Sequence, residues 1–254
     1  MCTLALYFRV FDGYPLIVAA NRDEHYDRPS IAPHLWPTRP AVFAGKDLLA
    51  GGTWFGVNEY GLVAGILNRR PTGEQAPPAP TRSRGLFCLD LLGLKTAAEA
   101  SAFVRSHRDR YQPFTLVFAD LEQAWVASDI RQEIAAVRLS EGLHVLSNTG
   151  DFNTQSEKVS RAYRHFAQLG EALRSEFPDP SQWPRAFAPV LADHTVGNGA
   201  EDPKDAICVH GGVSGTVSST LTLYSRADHQ FKTFFCPGAP CQHSFGDAVA
   251  LDVR

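Results

Sequence analysis

The chain predicts an α+β fold of two mainly antiparallel sheets packed face to face, with helices on their outer sides. Three observations carry this. The apolar runs come in the order strands, helices, strands, helices, strands. Short turn signals join most consecutive strand-like runs, so hairpins dominate and pairing is antiparallel. No internal repeat and no long linker interrupts the 254 residues, so residues 1–254 read as a single domain.

The elements follow in order. Thr3 to Val10 and Leu16 to Ala20 are Val-, Leu- and aromatic-rich runs flanking Asp12-Gly13-Tyr14-Pro15, a hairpin signal. Val42 to Ala44, Thr53 to Val57 and Leu62 to Leu67 continue the strand pattern, the last two joined by Asn58-Glu59-Tyr60-Gly61. Pro71 to Pro80 is a loop. Ser83 to Leu94 then shows near-helical apolar spacing, ending around Gly93. Thr96-Ala97-Ala98-Glu99 is a capping box that starts a helix through about His107. Strand patterns return at Phe114 to Ala119, Gln123 to Ala127, Glu133 to Leu139 and Leu143 to Ser147. A longer helix begins at Ser156 with Val159, Tyr163, Phe166 and Leu169 on one face. Ser181 is expected to cap a short helix through Leu191. Gly215 to Ser225 and Gln230 to Phe235 close the chain as a hairpin turning at Ala227-Asp228-His229.

Composition narrows the function. The chain is 44% hydrophobic and 20% charged, ordinary globular material with enough length for one sizeable core. Lys and Arg total 24 against 27 Asp and Glu, a net charge of −3 with no block of like charge. That argues against nucleic acid or an anionic membrane as partner. The segment Met1 to Val10 is short and polar for a signal peptide, and no run approaches the roughly 18 apolar residues of a span. The expectation is a cytoplasmic protein without stable membrane insertion, acting on a small-molecule ligand or substrate. The sequence carries no signal for an oligomeric state. Cysteines stand at 2, 88, 208, 236 and 241. An odd number in a long chain fits free thiols in a reducing compartment. No Cys-x-x-Cys occurs and no His pair has zinc-like spacing with Cys, so no metal site is expected.

The chemistry starts at Cys2. Removal of Met1 would put a thiol and a free α-amine on one carbon, so that one residue supplies nucleophile and base. Such an amine titrates near 7.7–8.0. Asn21-Arg22-Asp23 follow the second apolar run, where an Arg and an Asp are placed to hold that amine and a substrate. Gly51-Gly52-Thr53-Trp54-Phe55-Gly56 has no phosphate-loop spacing. It reads as a strand whose glycines let another backbone pass, with the N-terminal strand as the expected neighbour. Asn68 and Asn148 each follow an apolar run. Asn favours strand ends, and an amide N–H fixed there also suits an oxyanion hole, where one donor is worth roughly 3–4 kcal/mol of barrier.

These residues resemble the NRDE-motif family, also called the transport and Golgi organisation 2 family. The matching segments are Met1-Cys2-Thr3, Asn21-Arg22-Asp23-Glu24 with Arg28-Pro29, Asp47 with Gly51 to Gly56, and Ser83-Arg84-Gly85. Leu146-Ser147-Asn148, Ile207-Cys208-Val209-His210 and Gly215-Thr216 continue the match, so the resemblance runs from residue 1 to about 225. The family in turn resembles N-terminal nucleophile hydrolases of the cholylglycine hydrolase and penicillin V acylase type. That resemblance implies a four-layer αββα sandwich. It implies catalysis by Cys2, Asp23 and Asn148 on a small non-peptide amide, with Asn21, Arg22, Trp54 and Asn68 binding substrate. The chain departs from those hydrolases at two places. Ala20 stands where they keep an arginine, and Val217 follows Gly215-Thr216 where many relatives have Arg.

The resemblance also implies two alternatives. One is haem or hydrophobic-ligand binding and trafficking, with no cofactor otherwise required. For haem the sequence offers Cys236-Pro237 and His25, His144 and His210. The other is an inactive scaffold of the same fold.

Overall fold

The computed structural model describes residues 3–69, 82–107, 111–130, 133–148, 156–177, 179–196 and 203–254. The expected loop at 71–80, Met1 and Cys2 lie outside the described residues. The chain divides into two compact units. One comprises Met1–Asp27, Gly142–Leu223 and Lys232–Ala250; the other comprises Arg28–Glu141, Tyr224–Phe231 and Leu251–Arg254.

The first unit contains most of a six-stranded sheet. Its strands are β1 (Thr3–Phe8), β2 (Leu16–His25), β10 (Gly142–Ser147), β11 (Ser214–Ser225), β12 (Gln230–Cys236) and β13 (Val249–Asp252), in the order β10-β1-β2-β11-β12-β13. Strand alternation sorts its side chains. Ala5, Tyr7, Ile17, Ala19, Val145, Leu221 and Leu223 form one core with α3 (Glu157–Ser175) and α4 (Trp183–Leu191). The opposite row, Leu4, Leu6, Leu16 and Val18, is buried as well. This is why these strands read as continuous apolar runs. On α3 the buried stripe is Val159, Ala162, Phe166, Leu169 and Leu173. Tyr163, expected on that stripe, is exposed, because Ala162 and Phe166 complete the i, i+4 row and place residue 163 off it. Phe166 and Phe187 are fully buried, each gaining about 1.5–3 kcal/mol over exposure. Tyr7 reaches between them and donates its hydroxyl to the Phe166 carbonyl at 2.6 Å.

Ser156 caps α3, accepting from the Val159 N–H at 3.1 Å. The expected cap at Ser181 is not observed. Asp179 takes that place, accepting from the Ser181 N–H and hydroxyl, and a short 3₁₀ turn leads into α4. A carboxylate suits this position because it also favours the positive end of the turn's dipole.

The second unit is a seven-stranded meander in strict order: β3 (Ser30–Trp36), β4 (Val42–Asp47), β5 (Phe55–Asn58), β6 (Val63–Asn68), β7 (Phe114–Ala119), β8 (Ala124–Ile130) and β9 (Glu133–Leu139). Helices α1 (Arg84–Leu92) and α2 (Ala97–Ser106) cover a core that includes Leu62, Ala64, Phe87, Leu91, Leu92, Phe114, Leu116 and Phe118. Ser83 caps α1, accepting from Gly85 N–H. Thr96 caps α2, accepting from Glu99 N–H, while the Glu99 carboxylate reaches back to the N–H of Lys95. Asn58 ties the β5–β6 turn to the end of α1. Its amide donates to the Leu92 and Leu94 carbonyls, and its oxygen accepts from Tyr60 and Leu62.

Gly52 does permit a close backbone approach, but the neighbour is α1 rather than the N-terminal strand. A Cβ on Gly52 would stand 2.1 Å from the Gly85 carbonyl carbon, and the Thr53 N–H donates to the Gly85 carbonyl at 3.0 Å. Asp47 shapes the preceding turn, accepting from the N–H groups of Leu49 and Ala50 and from Arg28. Burial raises the Asp47 carboxyl, but the Arg28 hydrogen bonds and those backbone donors more than offset this and hold it below the ordinary range.

Candidate functional site

One row of residues crosses four strands of the first unit. Thr3 on β1 pairs with Ser147 on β10 and with Asn21 on β2, and Asn21 pairs with Ser219 on β11. The motif residues begin at this row and continue along β2. Arg22 pairs with Ser218 and Asp23 with Thr216, with a bulge at Val217 between them. A bulge places two residues of one strand against one of its partner and re-aims the side chains around it. Val217 is therefore the extra residue of the bulge, and Thr216 stands opposite Asp23.

Each of these side chains is buried: Asn21 is 1% exposed, Arg22 6%, Asp23 4% and Asn148 4%. The Thr216 hydroxyl donates to Asp23 Oδ1 at 2.6 Å and accepts from the Val209 N–H at 2.9 Å. Thr216 thereby fixes the Asp23 carboxylate, and in the sequence only the Gly215-Thr216 pair marks it. Asn21 commits its amide to the protein. Nδ2 donates to the Leu191 carbonyl at 2.8 Å and the Ile207 carbonyl at 2.9 Å, and Oδ1 accepts from Ser219 at 2.5 Å. It thereby ties β2 to the end of α4 and to the segment before Cys208.

Asn148 follows Ser147 at the end of β10. Its Oδ1, like the Thr3 hydroxyl, is buried without a hydrogen-bond partner among the described residues. A buried unsatisfied acceptor costs about 1–3 kcal/mol, and such groups in native folds mark strain, a ligand or chemistry. Cys2 lies outside the described residues. Trp54 and Asn68 belong to the second unit. Trp54 is half-buried with its ring against Gly45, and Asn68 ends β6 on the exposed side, opposite Phe114.

The residues offered for haem sit in different surroundings. Cys236 is buried with its thiol against the Gly238 and His243 carbonyls, so Cys236-Pro237 opens a turn. His144 is buried within β10 and His25 is exposed at the end of β2. His210 instead stands beside His194, Cys208 and Cys241. No local spacing marks this group, because 31 residues separate His210 from Cys241. Burial first, and then the nearby Cys241, push the Cys208 thiol up to about 12.

Comparison with known proteins places the chain. A family model described as Transport and Golgi organisation 2 matches residues 1–233. The Transport and Golgi organization protein 2 homolog of Bos taurus is 32% identical over 256 residues, covering 86% of this chain and 85% of that protein. The Mus musculus homolog is 26% identical over 250 residues, with the same coverage of 86% and 85%. Among solved structures, a mutant of conjugated bile acid hydrolase from Clostridium perfringens aligns with a TM-score of 0.57 at 12% identity, covering 99% of this chain and 92% of that one. Penicillin V acylase from Agrobacterium tumefaciens aligns at 0.57 and 13% identity over 100% and 99%. The N-acylethanolamine-hydrolyzing acid amidase ortholog of Caenorhabditis elegans aligns at 0.55 and 17% over 87% and 92%. Identities this low show the fold alone. The fold is the α+β, N-terminal-nucleophile-hydrolase type expected from the sequence, with two antiparallel sheets and four α-helices among the described residues. No helix among the described residues is long and apolar enough to cross a membrane.

Proposed function

The chain belongs to the Transport and Golgi organisation 2 family, and on that premise we propose that it is a cysteine amidohydrolase of N-terminal nucleophile type, cleaving a small non-peptide amide. One observation carries the reading. Buried Asp23 on β2 and buried Asn148, the residue just past the end of β10, come from the two strands that flank β1, whose first described residue, Thr3, directly follows Cys2 in the chain. The names of the structural neighbours, a hydrolase, an acylase and an amidase, point the same way.

The proposed chemistry uses these residues in turn. After Met1 is removed, the α-amine of Cys2 takes the thiol proton as Sγ bonds to the substrate carbonyl carbon. Asp23, held by Thr216, stabilises the resulting ammonium by a charge-assisted hydrogen bond. The Asn148 amide N–H groups stabilise the oxyanion. The C–N bond breaks, the ammonium proton passes to the leaving amine, and a thioester remains. Water, deprotonated by the same α-amine, hydrolyses that thioester and restores the thiol. Arg22 is assigned to a carboxylate of the substrate.

The test is release of a fluorescent amine from a panel of N-acyl aminocoumarins by the full chain. Cys2→Ala abolishes release and Asn148→Ala lowers kcat by about 10²–10³-fold. Turnover no faster than with an unrelated protein, or a Cys2→Ala variant as active as the parent, sinks the proposal.

A further inference from the structure

We propose that His194, Cys208, His210 and Cys241 bind one zinc ion in a closed tetrahedral site. All four lie in the first unit, and their ligand atoms fall within 4.8 Å of one another. Zn–S bonds of about 2.3 Å and Zn–N bonds of about 2.0–2.1 Å in a tetrahedron require S···S of about 3.8 Å and N···S of about 3.5 Å. The Cys208 and Cys241 sulfurs are 3.8 Å apart. His210 Nε2 lies 3.9 Å from the Cys208 sulfur and 3.2 Å from the Cys241 sulfur, distances that straddle the ideal.

The fourth ligand is already oriented. His194 Nδ1 is 3.0 Å from the Cys208 carbonyl oxygen. A carbonyl only accepts, so Nδ1 carries the proton and the lone pair is left on Nε2. An imidazole fixed through its other nitrogen is the usual support of a metal-binding histidine. The His194 and His210 rings lie 4.9 Å apart, turned 45°. The segments carrying the ligands are held as well. The Cys208 N–H donates to the Asp193 carbonyl at 2.8 Å, and Arg161 of α3 holds the Asp205 carbonyl at 2.6 Å.

Two sulfurs and two imidazoles select zinc over calcium or magnesium, which take oxygen ligands. Cys208 is buried and the other three are exposed. A cavity of about 420 Å³, lined by His194, Val196, Pro203, Ala206, Cys208 and His210, gives the ion a route in. On binding, two thiols become thiolates and release two protons to solvent. Four protein ligands leave no open coordination position, so the ion is structural. It joins residues 194, 208, 210 and 241, and so fixes the segment that Asn21 and Thr216 grip through the Ile207 carbonyl and the Val209 N–H. The site does not depend on whether Asp23 and Cys2 are catalytic.

The full chain, reduced with a phosphine, is equilibrated with zinc, desalted and analysed for metal by plasma mass spectrometry. About one zinc per chain is expected, and none in Cys241→Ser or His194→Ala, both at exposed positions. Cobalt(II) titration of the parent gives a metal-based readout that needs no variant. It should saturate at one equivalent with the intense visible and thiolate-to-metal bands of a tetrahedral two-sulfur site. No retained zinc in the parent, no such bands, zinc retained at the parent's level in both variants, or a Cys208–Cys241 disulfide under these reducing conditions overturns the proposal.

Discussion

Asn21→Asp replaces two N–H donors with an oxygen at nearly constant shape. In the native protein those donors satisfy the Leu191 and Ile207 carbonyls at 2.8 and 2.9 Å, in a site only 1% exposed. The substitution strands both carbonyls, at about 1–3 kcal/mol each, for a total of about 2–6 kcal/mol at neutral pH. A buried carboxylate facing two carbonyl oxygens also takes up a proton, so its folded pKa rises above the unfolded value of about 3.9. The sign follows. Between those two values the folded state holds the extra proton, so stability falls as pH rises, by up to about 1.4 kcal/mol per unit. Once protonated, the carboxyl donates to one carbonyl and recovers part of the loss. Urea unfolding of parent and variant at pH 5 and pH 7 measures both effects. The variant is expected to lose at least 2 kcal/mol at pH 7 and less at pH 5. A loss under 1 kcal/mol at pH 7, or one independent of pH, would refute the view that Asn21 binds the protein's own backbone.

Two further outcomes follow from the second unit. Gly52→Ala puts a Cβ 2.1 Å from the Gly85 carbonyl carbon, so the first turn of α1 must move and the Thr53–Gly85 hydrogen bond weakens. Denaturation should show a loss of about 2–4 kcal/mol, whereas Gly13→Ala, with nothing within 4 Å, should stay within about 0.5 kcal/mol. Asp47→Asn removes a carboxylate whose pKa is depressed in the fold. That stabilisation is present above the unfolded pKa and lost as pH falls through the folded one. The variant should therefore be less stable than the parent at pH 7 and converge with it in acid; a constant gap between their melting temperatures across this range contradicts the pairing.

Most of the fold was legible because burial and capping leave local marks. Ser83, Thr96 and Ser156 start helices in the structure as their sequence patterns require. β7 and β9 fall on the expected residues, Phe114–Ala119 and Glu133–Leu139. The strands at the rims left no such mark. β3 is an exposed edge strand with Pro33 inside a register shift between Ile31 and His34, so it shows neither alternation nor a continuous apolar run. β13 is four mostly exposed residues at the other sheet's edge. The candidate site was legible at Asn21-Arg22-Asp23 through the family resemblance, but not what Asn21 does, since its partners are 170 and 186 residues away. The sulfur and imidazole cluster was invisible for the same reason. Its spacing comes from folding distant turns together, not from a local motif.

Intact-mass and peptide analysis of the full chain after a cysteine-directed acylating probe reads the proposed nucleophile itself. The expected result is a chain that begins at Cys2, with one acyl group on that residue and its acylation slowed in Asp23→Asn. A chain that keeps Met1, or a Cys2 no more reactive than buried Cys88, would contradict it.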